Sequence, residues 1–452
     1  MADYAWVGQA PKVPQVDSID LAGTWAASET ISIDLESGPT LTLTTGSGDI
    51  DTIGADLVVM LTGSGTLSSA ASTNSTGDKV PLFTQLSSVT WDNATDKLTV
   101  TGKADGRPFT MNVSETSASG TATHNAEDTA ASGPHAFDVA ENWAGGSVPV
   151  TGSHNVIFDE RAQNSLLYKL SQSSIAPAKV EVTAEFLAKG LSIGNPPINT
   201  DTAQSPYYEP LDEDLAIGSN TTALTVNIGR GSGEPASSFC NFDFGTAVVT
   251  GTIRKSHKRP SAQIAPLRIK GTGGGSYTFY RGEAEFANRF GESSTVGTIN
   301  VYFTTIATKA TDVKLTLGES VTISGYNQLG GTVVSHSNLA ASCNIEGGLL
   351  QVLDGGTVTG LTIQDGGVVD YRADGTITTV TVYRDGLIDF SQDRTSASRG
   401  ITNCELYAGA SYRDPYDTVT LNNGLDLHGC RPTDLKELTI GVNKRLTLGT
   451  IS

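Results

Sequence analysis

The strongest constraint on the fold lies after residue 340, where the chain nearly repeats itself at an offset of 19 residues. Thr357 to Asp374 (TVTGLTIQDGGVVDYRAD), laid on Thr376 to Asp393 (TITTVTVYRDGLIDFSQD), matches Thr357, Thr359, Thr362, Gly367, Asp370 and Asp374 with Thr376, Thr378, Thr381, Gly386, Asp389 and Asp393. Six further positions exchange one apolar residue for another. One step earlier, Gly348 to Val352 falls on Gly367 to Tyr371, so Gly348, Gly367 and Gly386 mark one recurring corner. A unit this short, two strand-like runs joined by glycine turns, has no way to bury its apolar face alone and must stack on its neighbours. The expectation is a parallel β-helix or β-solenoid over residues 301–452, with rungs of about 19 residues and a C-terminal cap. After a polar insertion (Ser391 to Arg399), Ile401 to Leu406 resumes the strand pattern, and Leu438 to Leu448 supplies the last strands.

The rest of the chain also reads as mostly β. Glycine (50 residues), serine and threonine are abundant, while methionine (3) and charged residues (17%) are scarce, a composition of strands and turns. Residues 1–125 read as an N-terminal β-rich domain, α+β or sandwich-like. Thr30 to Leu35 and Thr40 to Thr44 alternate with period two, as half-buried strands do. Ile53, Leu57, Val58 and Leu61 share one helical stripe, which predicts one short helix capped by Asp51 and followed by Gly63. Ser88 to Trp91, Lys97 to Thr101 and Phe109 to Val113 supply further strands; Ser117 to Ser132 lacks apolar periodicity and reads as a linker or an extended crossover. Residues 126–300 are expected to be the solenoid entry, a cap around Trp143 followed by short strands with Pro/Gly-rich excursions at Gly194 to Asp214 and Gly229 to Pro235.

The net charge of −19 and pI near 4.6 repel phosphate and anionic lipid, so nucleic acid is not expected as a partner. Cys240, Cys343, Cys404 and Cys430 are far apart, with no C-x-x-C pair, and read as reduced, partly buried small residues. The first residues, Met1 to Trp6, show no basic region followed by an apolar run, and no stretch approaches 18 apolar residues. Synthesis in a cytoplasm without a cleaved export signal, and no membrane insertion, are the expectations.

Phe137 to Asp159 carries a more specific pattern: Asn142-Trp143-Ala144-Gly145-Gly146, then Val148-Pro149, Gly152 and the strand Asn155 to Asp159. It resembles the Asn-Trp, Gly-x-x-Pro, Gly-x-x-x-Val-x-Phe opening of many repetitive β-solenoid proteins of phage particles and bacterial surfaces. A tryptophan beside glycines and a proline can plug the open end of a β stack, whose unpaired edge otherwise invites aggregation. Taken whole, the chain resembles bacteriophage virion proteins that join an N-terminal β-rich module to a β-helix. The resemblance implies a head decoration, head fibre or tail fibre component, homo-oligomeric and often trimeric, contacting major capsid or tail proteins, with a host surface glycan as a further candidate partner. It transfers no catalytic, cofactor-binding or metal-binding residue.

The best catalytic candidates come from the repeat. Asp370 and Asp389 should stack one rung apart at about 4.8 Å, as should Asp374 and Asp393, and paired carboxylates near that separation can serve glycoside cleavage as acid and nucleophile. The competing reading is favoured. Asp370 lies between Val369 and Tyr371, and Asp389 between Ile388 and Phe390, so alternation turns both acids outward as solvated residues. Asp374 and Asp393 sit at corners that favour Asx turns. Gly229 to Gly233 and Gly271 to Gly275 lack the Gly-Lys-Ser/Thr ending of a phosphate loop and read as turns. His124, His135, His154, His257, His336 and His428 form neither H-x-H nor H-E-x-x-H, and no G-x-S-x-G elbow occurs. Arg254 to Pro260 (RKSHKRP) gathers four permanent positive charges, a solvated loop or a docking point for an acidic neighbour in an assembly.

The expected function is therefore a non-catalytic structural protein of a virion, with the N-terminal domain as its anchor. A polysaccharide depolymerase, or a glycan-binding adhesin, on a β-helix is the alternative.

Overall fold

The computed structural model describes residues 2–35, 40–46, 48–68, 71–74, 86–149, 154–172, 175–194, 214–217, 223–229, 240–254, 267–288, 291–302, 313–339, 342–354, 357–393 and 399–440. Most strands belong to two parallel sheets, of 14 and 11 strands, in which neighbours in space are alternate strands of the chain. That order means the chain winds. It lays a strand on the longer sheet, turns, lays one on the shorter sheet, and comes back one level further on, which is the path of a β-solenoid.

In the repeat the pairing follows the 19-residue offset: Leu361 lies opposite Val380, Val368 opposite Leu387, and Asp370 opposite Asp389. Elsewhere the spacing wanders. Val301 pairs with Gln328, 27 residues on, and Gln328 with Ile345, 17 residues on. The stack also reaches well beyond residues 301–452. Its strands run in the same two sheets from the N-terminal end, and the first strand of the longer sheet is Ala2–Ala5, parallel to His154–Phe158 with Ala2 opposite His154.

The longer strands bend. In Thr376–Val382 the buried residues are Ile377, Val380 and Val382, with Thr378 and Thr379 both outside the core. The same two-residue slip falls at Gly297 and Thr298, at Ser324 and Gly325, and at Thr402 and Asn403. Strict alternation would have carried the second half of each strand to the wrong face. The slip therefore marks a corner, and one sheet supplies two walls around the core while the shorter sheet supplies the third. A single apolar column fills the interior, from Trp6, Phe137 and Trp143 through Phe242, Phe286 and Tyr326 to Tyr371, Phe390 and Tyr412.

Close backbone approach sets the glycines of the recurring corner. A Cβ on Gly367 would sit 2.4 Å from the carbonyl oxygen of Ile345, and one on Gly386 would sit 2.6 Å from that of Ile363. Both distances are below any van der Waals contact, so each level can stack there only on a residue without a side chain.

Near the beginning the chain leaves the stack and returns. Val13 and Ser132 pair backbone to backbone, at 2.7 and 3.1 Å, at the neck of this excursion. Within it stand two four-stranded antiparallel sheets: Leu86–Asp92, Lys97–Gly102, Val16–Gly23 and Gly120–Thr129 in one, and Ala71–Asn74, Leu41–Thr44, Thr30–Leu35 and Met111–Glu115 in the other. They enclose a core of their own with the helix Ile50–Thr62, including Ile19, Ile33, Leu43, Leu57 and Leu98. Three expectations are corrected here. A boundary at residue 125 would cut the strand Gly120–Thr129, and residues 2–10 belong to the stack. The supposed linker 117–132 contains an edge strand, missed because its inward residues Gly120 and Ala122 are too small to give an apolar period. The helix is capped by Asp49, whose side chain accepts from the Thr52 amide; Asp51 instead accepts from the Trp91 indole at 3.3 Å.

The N-terminal end of the stack is closed by aromatic rings. Trp143 lies 1% exposed, edge-on to Phe137 at 4.8 Å and to Trp6 at 5.2 Å. Its indole donates to the Phe137 carbonyl, and the Asn142 amide donates to the carbonyls of Gly133 and Ala136. The neighbouring Ala144 amide donates to Ala5, covering an edge that the first strand would leave open.

Candidate functional site

The outer face of the shorter sheet carries the paired aspartates. Their side chains leave the core between the buried Val369 and Tyr371, and between Ile388 and Phe390. They are nevertheless not solvated: Asp370 is 6% and Asp389 7% exposed. Arg372 folds back along its own strand and donates to both oxygens of Asp370, while Gln351, one level earlier, donates at 3.1 Å. Arg413, one level later, donates to Asp389 at 2.9 Å and to both oxygens of Glu437. This guanidinium holds the Glu437 carboxyl below its ordinary range. The correction has a plain cause. Stacked like charges are unfavourable unless opposite charges intervene, and here arginines lie over the acids and exclude water. A general acid must hold and release a proton, whereas all four oxygens are engaged as acceptors, those of Asp370 from the Arg372 guanidinium and those of Asp389 from Arg413 and the Ser391 amide, an arrangement suited to holding rungs together.

A second charged group on this sheet escaped the sequence reading, since its members come from different levels. Arg268, 4% exposed, donates to Asp214 at 3.0 Å and pairs with Glu292. Lys270 lies 2.9 Å from Asp214 and 3.7 Å from both Asp243 and Glu292. Burial works against the Lys270 charge, but the Asp214 carboxylate outweighs it and raises the ammonium above its ordinary value. Asp243, Lys270, Thr272, Glu292 and Ser293 line a polar pocket of about 350 Å³.

The longer sheet has a different outer face. Beyond its bend, two outward columns run along the stack, two residues apart on each strand. They start at Thr225 and Asn227, which lie opposite Thr250 and Thr252. The next levels add Ser276 and Thr278, then Thr298 and Asn300. Asn327 and Asn344 continue in register, with the Asn327 amide donating to Asn300 at 2.9 Å, and Thr362 and Thr381 follow. Over these levels neither column holds a charged residue. Charges return only at the ends, with Lys179 and Glu181 before and Glu405 after.

Beside this face runs a corner that carries tyrosines on two levels at each end and Leu329, Glu346 and Gln364 between them, the Glu346 carboxylate accepting from the Asn344 amide. The residue after each strand donates its amide to the level before, the tyrosines among them being Tyr280 to Ile253, Tyr302 to Phe279, Tyr383 to Ile363 and Tyr407 to Val382. The backbone ladder thus stacks the rings, Tyr280 on Tyr302 at 5.4 Å and Tyr383 on Tyr407 at 4.5 Å, with His428 next at 4.7 Å and the Arg254 guanidinium over Tyr280 at 4.7 Å.

The remaining candidates disperse. Asp374 is exposed at its corner, but Asp393 pairs with Arg399, a residue taken from sequence as the end of a polar insertion and found 1% exposed. The Arg399 guanidinium also donates to the carbonyls of Ala373 and Arg372, both at 2.9 Å, and to Thr418. Among the histidines, His124 contacts Asp17 at 2.9 Å and His336 contacts Asp354 at 2.6 Å, at separate places. All four cysteines are buried and in no disulfide, and burial pushes the Cys404 thiol up to about 12. Gly271 to Gly275 is a turn between levels. Residues 255–260 of the basic segment, residues 230–233 of the other glycine run, His257 and most of the two long excursions lie outside the described residues. Among the described residues no group of three or more His, Cys, Asp or Glu is placed to hold a metal ion, and no helix is long and apolar enough to cross a membrane.

No protein-family model matches the chain, and neither a curated protein nor a solved structure matches it.

Proposed function

We propose that this chain is a non-catalytic structural component of a bacteriophage particle, a capsid decoration or fibre protein made in the host cytoplasm and displayed on the particle surface. The observation that carries the reading is the combination of one continuous parallel stack with a separate β unit inserted at its beginning. A stack of this kind is a rod whose every level is tied to the next by backbone hydrogen bonds, suited to bearing load and presenting side walls. The inserted unit, joined to the rod by the paired neck at Val13 and Ser132, is the natural anchor, holding major capsid or tail proteins while the rod faces outward. The acidic charge keeps neighbouring displayed copies from clumping. A homo-oligomer, trimeric in keeping with the resemblance, is part of the proposal. The arginine partners of Asp370 and Asp389 favour this role over glycoside cleavage.

Mass spectrometry of purified particles, with copies counted against the major capsid protein, tests the reading. Dozens to hundreds of copies are expected for decoration or an abundant fibre; absence from particles overturns it. A few copies joined to loss of glycan cleavage in Asp389→Asn would establish the depolymerase instead.

A further inference from the structure

We infer that the uncharged face of the longer sheet is a binding track for a neutral polysaccharide lying along the rod. The inference rests on the display role for the partner it would meet, and on the chemistry of the face for the partner's class.

The face is a selective exception to the surface around it. The chain carries a net charge of −19, and the outer face of the shorter sheet is crowded with charge, from Asp243 and Lys270 through Glu283 and Lys314 to Asp389 and Arg413. In the two columns, from Thr225 and Asn227 to Thr379 and Thr381, the outward side chains are hydroxyls and amides, with glycine at Gly325 and Gly360. Threonine suits strands anywhere, so strand propensity explains each residue singly. It does not explain why charge is absent from both columns over eight successive levels.

What the face offers decides what it can hold. Threonine and serine hydroxyls and asparagine amides both donate and accept, and here they recur every ~4.8 Å along the axis and every ~7 Å across it. Nucleic acid needs cations to replace its counterions, and the two columns supply none. The stacked tyrosines cover one another's ring faces, so they add edges and phenol hydroxyls to the border of the track. A polymer of hydroxyl groups without charge matches this set: each of its groups finds a donor or an acceptor, and no ion is stripped of water.

A second copy of the chain is the competing occupant, and the size of the face argues against it. Eight levels at ~4.8 Å give a strip ~38 Å long. With the corner residues beside it, it is ~14 Å wide, or roughly 500 Å². A stable protein interface takes about 800 Å² from each partner and has an apolar, aromatic centre. The track is too narrow and too polar at its centre for that.

The test is electrophoresis of the purified full-length chain through native gels containing dextran, mannan, galactomannan or hydroxyethyl cellulose, against a gel without polymer. Retardation in at least one is expected. It should weaken at least tenfold in Thr278→Arg, which sets a bulky cation between Thr252 and Asn300, and also in the milder Thr278→Val, which removes only the hydroxyl's hydrogen bonding. Circular dichroism and thermal midpoint confirm that both variants fold. No retardation in any polymer, or equal retardation in both folded variants, overturns the inference. So does a dimer in sedimentation velocity that Thr278→Arg dissociates, since a second copy would then own the face. Particle incorporation is a separate readout: variants that lose retardation but enter particles at full copy number leave the display role standing, and absence of the wild type from particles leaves the gel result standing.

Discussion

Replacing Arg399 by methionine should unfasten the last levels of the solenoid while the N-terminal end stays intact. Methionine keeps most of the aliphatic volume, so the change isolates the guanidinium. Its removal leaves the carbonyls of Ala373 and Arg372 and the carboxylate of Asp393 without this donor inside the structure. Each buried acceptor left unpaired costs about 1–3 kcal/mol. Two carbonyls and a partly buried carboxylate, after some relaxation toward solvent, place the loss at about 3–5 kcal/mol, the range for breaking a buried ion pair. The effect is confined by the architecture, since each level contacts only its neighbours. Hydrogen exchange followed by mass spectrometry reads it directly. A loss of 3 kcal/mol corresponds to roughly 150-fold faster exchange, expected in peptides covering Thr376–Val382 and Arg399–Leu406. Peptides covering His154–Phe158 should be unchanged. All four tryptophans, Trp6, Trp25, Trp91 and Trp143, lie before residue 150, so in urea their fluorescence transition should stay in place while the circular dichroism of the strands falls earlier. Arg399→Met with wild-type exchange, or with loss spread evenly to both ends, would refute the reasoning.

Four further outcomes follow from the same geometry. Gly386→Ala drives a Cβ toward the Ile363 carbonyl and should lower stability by about 1–3 kcal/mol in urea titration, whereas Gly400→Ala, whose nearest neighbour is 3.5 Å away, should change it by less than about 0.5 kcal/mol. Deleting residues 14–131, with Val13 joined to Ser132 through a short Gly-Ser linker, should leave a folded stack that no longer enters particles; removing residues 2–13 instead should expose the Trp143 cluster and bind hydrophobic dye. A thiol reagent should label native protein at pH 8 far more slowly than unfolded protein, because all four cysteines are buried and the Cys404 thiol is pushed up to about 12. Glu437 has a folded pKa below its unfolded value, so its contribution is present above the unfolded value of about 4.3 and is lost as pH falls through the folded one; Glu437→Gln should flatten that part of the acid stability curve, measured by exchange at the final levels between pH 6 and 3.

The parts of the fold visible in sequence are those in which one level copies the last. Between Thr357 and Asp393 no excursion intervenes, and the alignment of two runs of letters is also the register of their strands. Upstream the register partners are 22 to 27 residues apart with excursions of unequal length between them, and the period dissolves even though the same sheets continue. Alternation gave the direction of Asp370 and Asp389 but not their burial, because the covering group over Asp389 comes from Arg413, 24 positions away. Arg399 looked like the end of a polar insertion because two of its four acceptors are backbone carbonyls, which have no signature in side-chain letters, and Thr418 is 19 positions away. The neutral face was invisible for a related reason. Thr252, Thr278, Asn300 and Asn327 are ordinary strand residues one at a time, and only pairing across levels sets them in one column.

The membership of Ala2–Ala5 in the stack has a consequence for how the chain comes to fold. The strand Ala2–Ala5 has its sheet partner 152 positions later, at His154–Phe158. Closing a loop of that length costs entropy before any contact is gained. The inserted unit pairs largely within itself, and once it has formed, the neck at Val13 and Ser132 shortens the effective loop to about 30 residues, which lowers the closure cost by about 1.4 kcal/mol. The insert thus brings the two halves of the first level together as it matures. A chain in which the insert fails to fold would release Ala2–Ala5 as a loose edge, available to the wrong partner.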